Sequence, residues 1–298
     1  MKIGIIGFGE VGKIFAGALA NQPNITHVAV WDARWRDGPP KNADALALTN
    51  ARVRRCTSVT ELCAHAEFIF SAVTASNAFA VAEEAAQYVS PNTIFIDLNS
   101  ASPGTKKRAA AALLAAKAHY VDAGVMTSVP PYGIRVPMLL GGSHALRIAE
   151  TLRGWGMDVT VVSTEIGVAS AIKMSRSIMI KGLEALVIES YTTARAYGVE
   201  DFVLPTLAET FPSIDWEQQG DYFFSRVVQH GKRRAEEMAE AAHTVREGVL
   251  QPVMAEAISK RQAWVAAQRA NGTLSPDTKS WREHADALIA ASKKTNLP

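Results

Sequence analysis

The chain has 298 residues, 48% of them hydrophobic and 20% charged, and 31 Lys and Arg stand against 29 Asp and Glu for a formal net charge of +2. That length can bury a large core and hold two domains, the composition excludes a disordered chain, and the lack of an 18-residue apolar run excludes a membrane-spanning helix. Near-balanced charge speaks against a nucleic-acid partner, so the basic clusters at 52–55, 106–108 and 232–234 read as solvated faces. Cys56 and Cys63 have no metal-ligand or CxxC spacing and read as two buried free thiols; no metal is expected. The N-terminus lacks the form of a secretory leader, which gives the expectation of a cytoplasmic protein without a membrane anchor.

The chain opens MKIGIIGFGEVG. An apolar run over residues 2–7 predicts a strand, Gly7-x-Gly9-x-x-Gly12 follows, and residues 11–21 have helical period. A second strand is predicted over 27–32, ending at Asp32. This order gives each glycine a task. Gly7 permits the tight strand-to-helix turn, Gly9 lets the backbone approach a pyrophosphate, and Gly12 lets helix and strand pack closely. The amides of Phe8, Glu10 and Val11 then lie at a helix start, where they favour an anion. Asp32 is placed to accept hydrogen bonds from an adenosine ribose, which favours NAD over NADP, although Arg34 and Arg36 could each reach a 2′-phosphate.

Further strands are predicted over 68–73, 93–98, 119–125 and 138–141, with a short one at 159–162. Alanine-rich helices over 79–88 and 106–117 alternate with them. Such alternation predicts an α/β sheet covered by helices on both faces, a Rossmann dinucleotide-binding domain. From residue 167 to 197 the pattern is helical almost without a breaker, long enough to be an interdomain helix. Helices over 222–245 and 252–270 make the second half all-α, and residues 292–298 read as a loose tail. The expected division is a cofactor domain over 1–163 and an all-helical substrate and dimerisation domain over 164–298.

Several segments resemble the β-hydroxyacid dehydrogenase family, which includes 3-hydroxyisobutyrate and 6-phosphogluconate dehydrogenases, and in particular its branch with a divergent helical C-terminal domain. The segments are IGIIGFGEVG, SAVTASNA at 71–78, DLNSASP at 97–103, DAGVMTSVPPYG at 122–133 and GVASAIKMSRS at 167–177. The resemblance implies that Val73 and Thr74 lie along the cofactor, and that Asn99 and Ser100 belong to a loop serving cofactor and substrate. Thr127 and Ser128 would stand in for the family's carboxylate-gripping Ser-Gly-Gly. The family's catalytic lysine falls on Lys173, and Arg176 and Ser177 replace its two asparagines. Lys173 and Ser177 are one helical turn apart, and Arg176 suits a carboxylate. Lys181 follows two turns on, with Glu184 or Glu189 as possible partners of either lysine. His230 stands about where the family often carries a lysine near the substrate. Arg233, Arg234, Glu236 and Glu237 read as paired surface charge, while Phe211, Trp216, Tyr222 and Phe223 suit either an apolar pocket or the domain core.

The resemblance implies hydride transfer between NAD(P) and a small 3-hydroxy acid or β-hydroxy-α-amino acid, with Lys173 as general acid–base. A free lysine titrates near 10.4, so oxidation at neutrality asks for a lowered pKa. An imine or keto-acid reductase on the same scaffold is one alternative. A non-catalytic dinucleotide-binding interaction protein is the other. A homodimer is expected from the long helix and the apolar second half.

Overall fold

A computed structural model describes residues 1–36, 38 and 50–295 of the protein. Its contacts divide the chain into two compact units, Met1–Ser175 and Arg176–Pro298. Among the described residues the first holds eight strands: β1 (Lys2–Ile6), β2 (His27–Trp31), β3 (Val53–Arg55), β4 (Phe68–Ser71), β5 (Ile94–Asp97), β6 (His119–Val125), β7 (Met138–Gly141) and β8 (Val159–Ser163). Helices α1 (Glu10–Ala20), α2 (Val59–Cys63), α3 (Ala78–Ala86), α4 (Pro103–Ala115) and α5 (Ala145–Gly154) connect them. The strands form one sheet in the order β3-β2-β1-β4-β5-β6-β7-β8, parallel throughout except where β7 runs against β6.

Side chains alternate between two cores, as a sheet buried on both faces requires. Ile3, Ile5, Val28, Val30, Phe68 and Phe70 join Phe15 and Leu19 of α1 in one core. Ile6, Ala29, Trp31, Ile69 and Phe95 join the α2, α3 and α4 residues Leu62, Ala82 and Leu113 in the other. Local chemistry sets the helix starts. Ser102 caps α4 by accepting from the Thr105 amide, and Pro103 occupies the first turn, where its missing N–H costs nothing. Cys56 and Cys63 are buried free thiols, and burial pushes them up to about 11 and about 12.

The second unit is helical in all its described elements. The long helix α6 (Val168–Tyr197) links it to the first, and α7 (Glu200–Thr210), α8 (Trp216–Glu247), α9 (Val253–Ala270) and α10 (Trp281–Thr295) follow. Its core gathers Ile188 and Tyr191 of α6, Phe223, Phe224 and Val227 of α8, Val265 of α9 and Trp281 of α10. Gly231 permits α8 and α9 to meet closely, since a Cβ there would stand 2.9 Å from the Gln262 carbonyl oxygen.

The fold departs from the sequence reading at several points. In residues 52–55, Arg52 and Arg54 are exposed as expected of a solvated basic face, but the segment also forms the unpredicted strand β3, whose Val53 is buried. Residues 292–295, expected in a loose tail, belong to α10; residues 296–298 lie outside the described residues. Lys106 and Arg234, both assigned to charged surfaces, are buried. Phe223 belongs to the core and Trp216 packs against it, whereas Phe211 and Tyr222 are exposed.

Candidate cofactor and catalytic site

The reversal of strand order falls between β1 and β4, so the crevice beyond their carboxyl ends is where an open parallel sheet takes a ligand. Gly7 turns the chain there with φ +95°, and a Cβ on it would stand 2.4 Å from the Ala72 carbonyl oxygen. A Cβ on Gly12 would stand 2.0 Å from the Gly7 carbonyl oxygen, so strand and helix can pass only as glycines. Gly9 is different. A Cβ there would meet nothing within 4 Å, and no side chain caps the α1 N-terminus that Gly9 opens. The turn therefore leaves room beside a helix start, the arrangement that receives a pyrophosphate. These residues fit a dinucleotide.

Phe8 does not face that space. Its ring is buried edge-on to Trp35, with centroids 5.3 Å apart, and its amide donates to Asp32 Oδ2 at 2.7 Å. Asp32, at the end of β2, is also gripped by Arg34, whose Nε lies 2.8 Å from Oδ1 and whose Nη2 lies 3.0 Å from Oδ2. The same Nη2 donates to the Phe8 carbonyl at 3.0 Å. Burial opposes ionisation of Asp32, but the hydrogen bonds from the Arg34 side chain and from the Arg34 and Phe8 amides outweigh it and hold the carboxyl below its ordinary range. Arg36 instead lies over the Trp31 ring and pairs with Glu84.

The loops after β4 and β5 are tied together by Asn99. Its Oδ1 accepts from the Val73 amide at 2.7 Å, and its Nδ2 donates to Ser71 Oγ at 2.9 Å. The buried Asn99 amide thus aligns two loops. Thr74 bonds to Asn77 beside it. Ser100 and Ser128 are half-buried, while Thr127, past the end of β6, is exposed.

Beneath these loops lies a cluster absent from the sequence reading. Lys106 of α4 has no exposed surface; its Nζ donates to the Asp97 carbonyl at 2.8 Å and pairs with Asp97 Oδ1 at 3.0 Å and Asp122 Oδ1 at 3.4 Å. The last contact is an ion pair without the alignment of a hydrogen bond. Tyr120 donates to Asp97 Oδ2 at 2.6 Å, and burial, then the charges of Asp97 and Asp122, push its pKa up so that it stays a donor. Asp122 Oδ2 accepts from the amides of Gly167 and Ser170 and from Ser170 Oγ, so it caps the start of α6. The available signal was a pair of aspartates inside predicted apolar strands, Asp97 near the end of 93–98 and Asp122 in the middle of 119–125, because carboxylates there need partners.

Lys173 sits one turn beyond Ser170 on α6. Its Cβ would lie 3.6 Å from a Cβ on Gly124, two residues past Asp122 on the same face of β6. The first turns of α6 therefore rest on the carboxyl-terminal half of β6, with Ser170 over Asp122 and Lys173 over Gly124. Lys173, Asn99, Ser100, Thr127 and Ser128 all belong to the first unit.

Arg176, Ser177 and His230 belong to the second. Arg176 is exposed, whereas Ser177 is buried and accepts from Lys181 Nζ at 3.2 Å. The sequence reading offered Glu184 or Glu189 as lysine partners; instead Lys181 pairs with Glu237 at 2.9 Å, Glu184 with Arg234 at 2.8 Å, and Glu189 with Arg261. His230, partly buried on α8, is pushed down to about 4 by burial and then by Arg233, Arg226, Arg234 and Arg269, so its ring is neutral at pH 7.

Residues 2–162, more than half of the chain, match the family described as the NAD binding domain of 6-phosphogluconate dehydrogenase. Residues 194–265 match a domain of unknown function, DUF1932. Among solved structures, a conserved hypothetical protein from Sinorhizobium meliloti 1021 is 37% identical, with 97% of this chain and 96% of that one covered and a TM-score of 0.75. The conserved protein MTH1747, described as structurally similar to 3-hydroxyacid dehydrogenases, is 29% identical over 91% of this chain and 99% of that one, with a TM-score of 0.68. The Mycobacterium tuberculosis 3-hydroxyisobutyrate dehydrogenase, solved with L-serine, shares the fold at 14% identity, with 96% of this chain and 98% of that one covered and a TM-score of 0.70.

Proposed function

Because the chain belongs to the family described as the NAD binding domain of 6-phosphogluconate dehydrogenase, we propose that it transfers a hydride between a nicotinamide cofactor and a small 3-hydroxy acid or β-hydroxy-α-amino acid. Fold and family are those of an NAD(P)-dependent oxidoreductase of the β-hydroxyacid dehydrogenase type. The observation that carries the substrate reading is the seat of Lys173 against Gly124, at the carboxyl end of the sheet where Gly7 and Gly9 also lie.

Gly7, Gly9 and Gly12 with the first amides of α1 hold the pyrophosphate, Asp32 holds the adenosine ribose, and Val73 and Thr74 flank the cofactor. When bound, the dinucleotide supplies the hydride chemistry. Lys173 Nζ takes the hydroxyl proton during oxidation, and in reduction its ammonium returns that proton and stabilises charge developing on oxygen. Ser100, Thr127 and Ser128 offer hydroxyl donors to the substrate carboxylate. NAD is preferred to NADP: the Asp32 carboxylate stays charged, and the Arg34 fork that could meet a 2′-phosphate is turned onto Asp32 and the Phe8 carbonyl. The active species is a homodimer, supported by the exposed apolar residues Met179, Leu183 and Leu186 along α6.

The test is a panel of 3-hydroxy acids and β-hydroxy-α-amino acids, followed by absorbance of the reduced cofactor with NAD and NADP separately. Turnover with at least one substrate is expected, faster with NAD. Lys173→Ala should lose about 10²–10⁴-fold in rate while still binding NADH. Equal turnover by wild type and variant would remove Lys173 from the mechanism.

A further inference from the structure

An ammonium inside a protein is held only when acceptors and counter-charges replace its water; Lys106 donates to the Asp97 carbonyl and pairs with the carboxylates of Asp97 and Asp122. Stability alone does not account for it, because well-packed apolar side chains commonly serve as well as a buried ion pair. What distinguishes this cluster is where its two ends lead. Asp97 Oδ1 accepts from the Asn99 amide at 2.9 Å, and the Asn99 side chain reaches Val73 and Ser71. Asp122 holds the first turn of α6 through Gly167 and Ser170, three residues before Lys173. One buried cation is thus shared by the loop beside the dinucleotide turn and the helix start that carries Lys173.

We propose that Lys106 is a positioning residue: its ammonium locks the Asp97–Asn99 segment and the Asp122-capped start of α6 into one arrangement, and through Asp122 it sets the place and the local electrostatic field of Lys173. Its consequence for turnover rests on the reading of Lys173 as the proton carrier. The arrangement itself does not. With Lys106 in place, the carboxylate of Asp122, which caps the helix start that carries Lys173, is partly neutralised. Without it, the field at Lys173 becomes more negative and the charged form of Lys173 is favoured.

Competitive labelling of the whole protein with trace acetic anhydride, read by peptide mass spectrometry across pH, reports the protonation of each lysine without any substrate. Lys106→Met should move the Lys173 midpoint to higher pH by about half a unit or more, while Lys106→Arg, which keeps the charge, stays closer to wild type. Exposed Lys232, on α8, should not move in either. A folded Lys106→Met protein with an unchanged Lys173 profile overturns the proposal, as does an equal shift at Lys232, which would mean general loosening. If circular dichroism shows that Lys106→Met does not fold, Lys106→Gln decides the matter. It removes the charge but keeps a donor for the Asp97 carbonyl and should shift Lys173 in the same direction; an unchanged profile there also overturns the proposal. A shifted Lys173 in a protein that turns over none of the hydroxy acids would retire the substrate reading and leave the positioning role standing.

Discussion

At the scale of single residues, the three glycines of the dinucleotide turn have separable physical duties. Gly12 is required by the protein itself, because a methyl group 2.0 Å from a carbonyl oxygen must push α1 off β1. Gly12→Ala should therefore cost about 1–3 kcal/mol of stability, typical of overpacking, and show it as a lower midpoint in urea. Gly9 has open space around its missing Cβ and a φ of −77° that any residue adopts. Gly9→Ala should leave the urea midpoint nearly unchanged yet weaken NADH binding roughly tenfold or more, measured by fluorescence titration, because its methyl enters the place kept for the pyrophosphate. Normal NADH affinity in a stable Gly9→Ala protein would remove the phosphate-cradling role. The tight approach at Gly12 was legible in the sequence because it depends on Gly7, five residues earlier, whereas the clash that Gly7 avoids is with Ala72, after β4. The burial of Lys106 was not legible. In SPGTKKRAAA it looks like any lysine on a solvated helix, and its fate is set by aspartates on β5 and β6, which the chain pattern alone does not bring together.

At the scale of elements, the same limit separates what could be read from what could not. Strands β1, β2, β4, β5 and β6 and helix α6 declare themselves by length and apolar period. β3 spans three residues, too few for a period, and two of them are arginines. In α8 the run KRRAEEM reads as surface charge, yet Arg234 is buried against Glu184, fifty residues earlier on α6. Burial raises the Glu184 carboxyl above its ordinary range, against the pull of Arg234, Lys181 and Gln262. The pair therefore joins α6 to α8 by charges that depend on each other. Arg234→Met should destabilise the protein by about 3–5 kcal/mol at neutral pH, since it takes from a buried carboxylate its ion-pair partner at 2.8 Å. That carboxylate, with its folded pKa now raised further, takes up a proton more readily in the folded state than in the unfolded one. The deficit should then be level above the raised pKa and shrink as pH falls through it toward the ordinary carboxylate range. Adding Glu184→Leu should recover most of the loss in urea titrations. A double variant as unstable as Arg234→Met alone would show that packing, not the uncompensated charge, sets the cost.

At the scale of the whole molecule, α6 is apolar on more of its circumference than its own fold uses. Val187, Ile188 and Tyr191 face the helical core, while Met179, Leu183 and Leu186 recur at helical spacing on an exposed face. Val253 and Met254, at the start of α9, are exposed as well. A helix apolar on two sides calls for something to cover the second side, and in the proposed homodimer a second copy of the chain would do so with an identical, self-complementary stripe. Such a contact needs roughly 800 Å² from each partner, within reach of a helix 30 residues long. Charging this stripe with Leu183→Glu and Leu186→Glu together should leave the folded core intact, because neither side chain belongs to it. Sedimentation equilibrium should then show a dimer for the wild type and a monomer for the variant, with NADH affinity retained by the first unit. A wild-type monomer at micromolar concentration would end the dimer reading, and a variant that stays dimeric would move the interface off this face of α6.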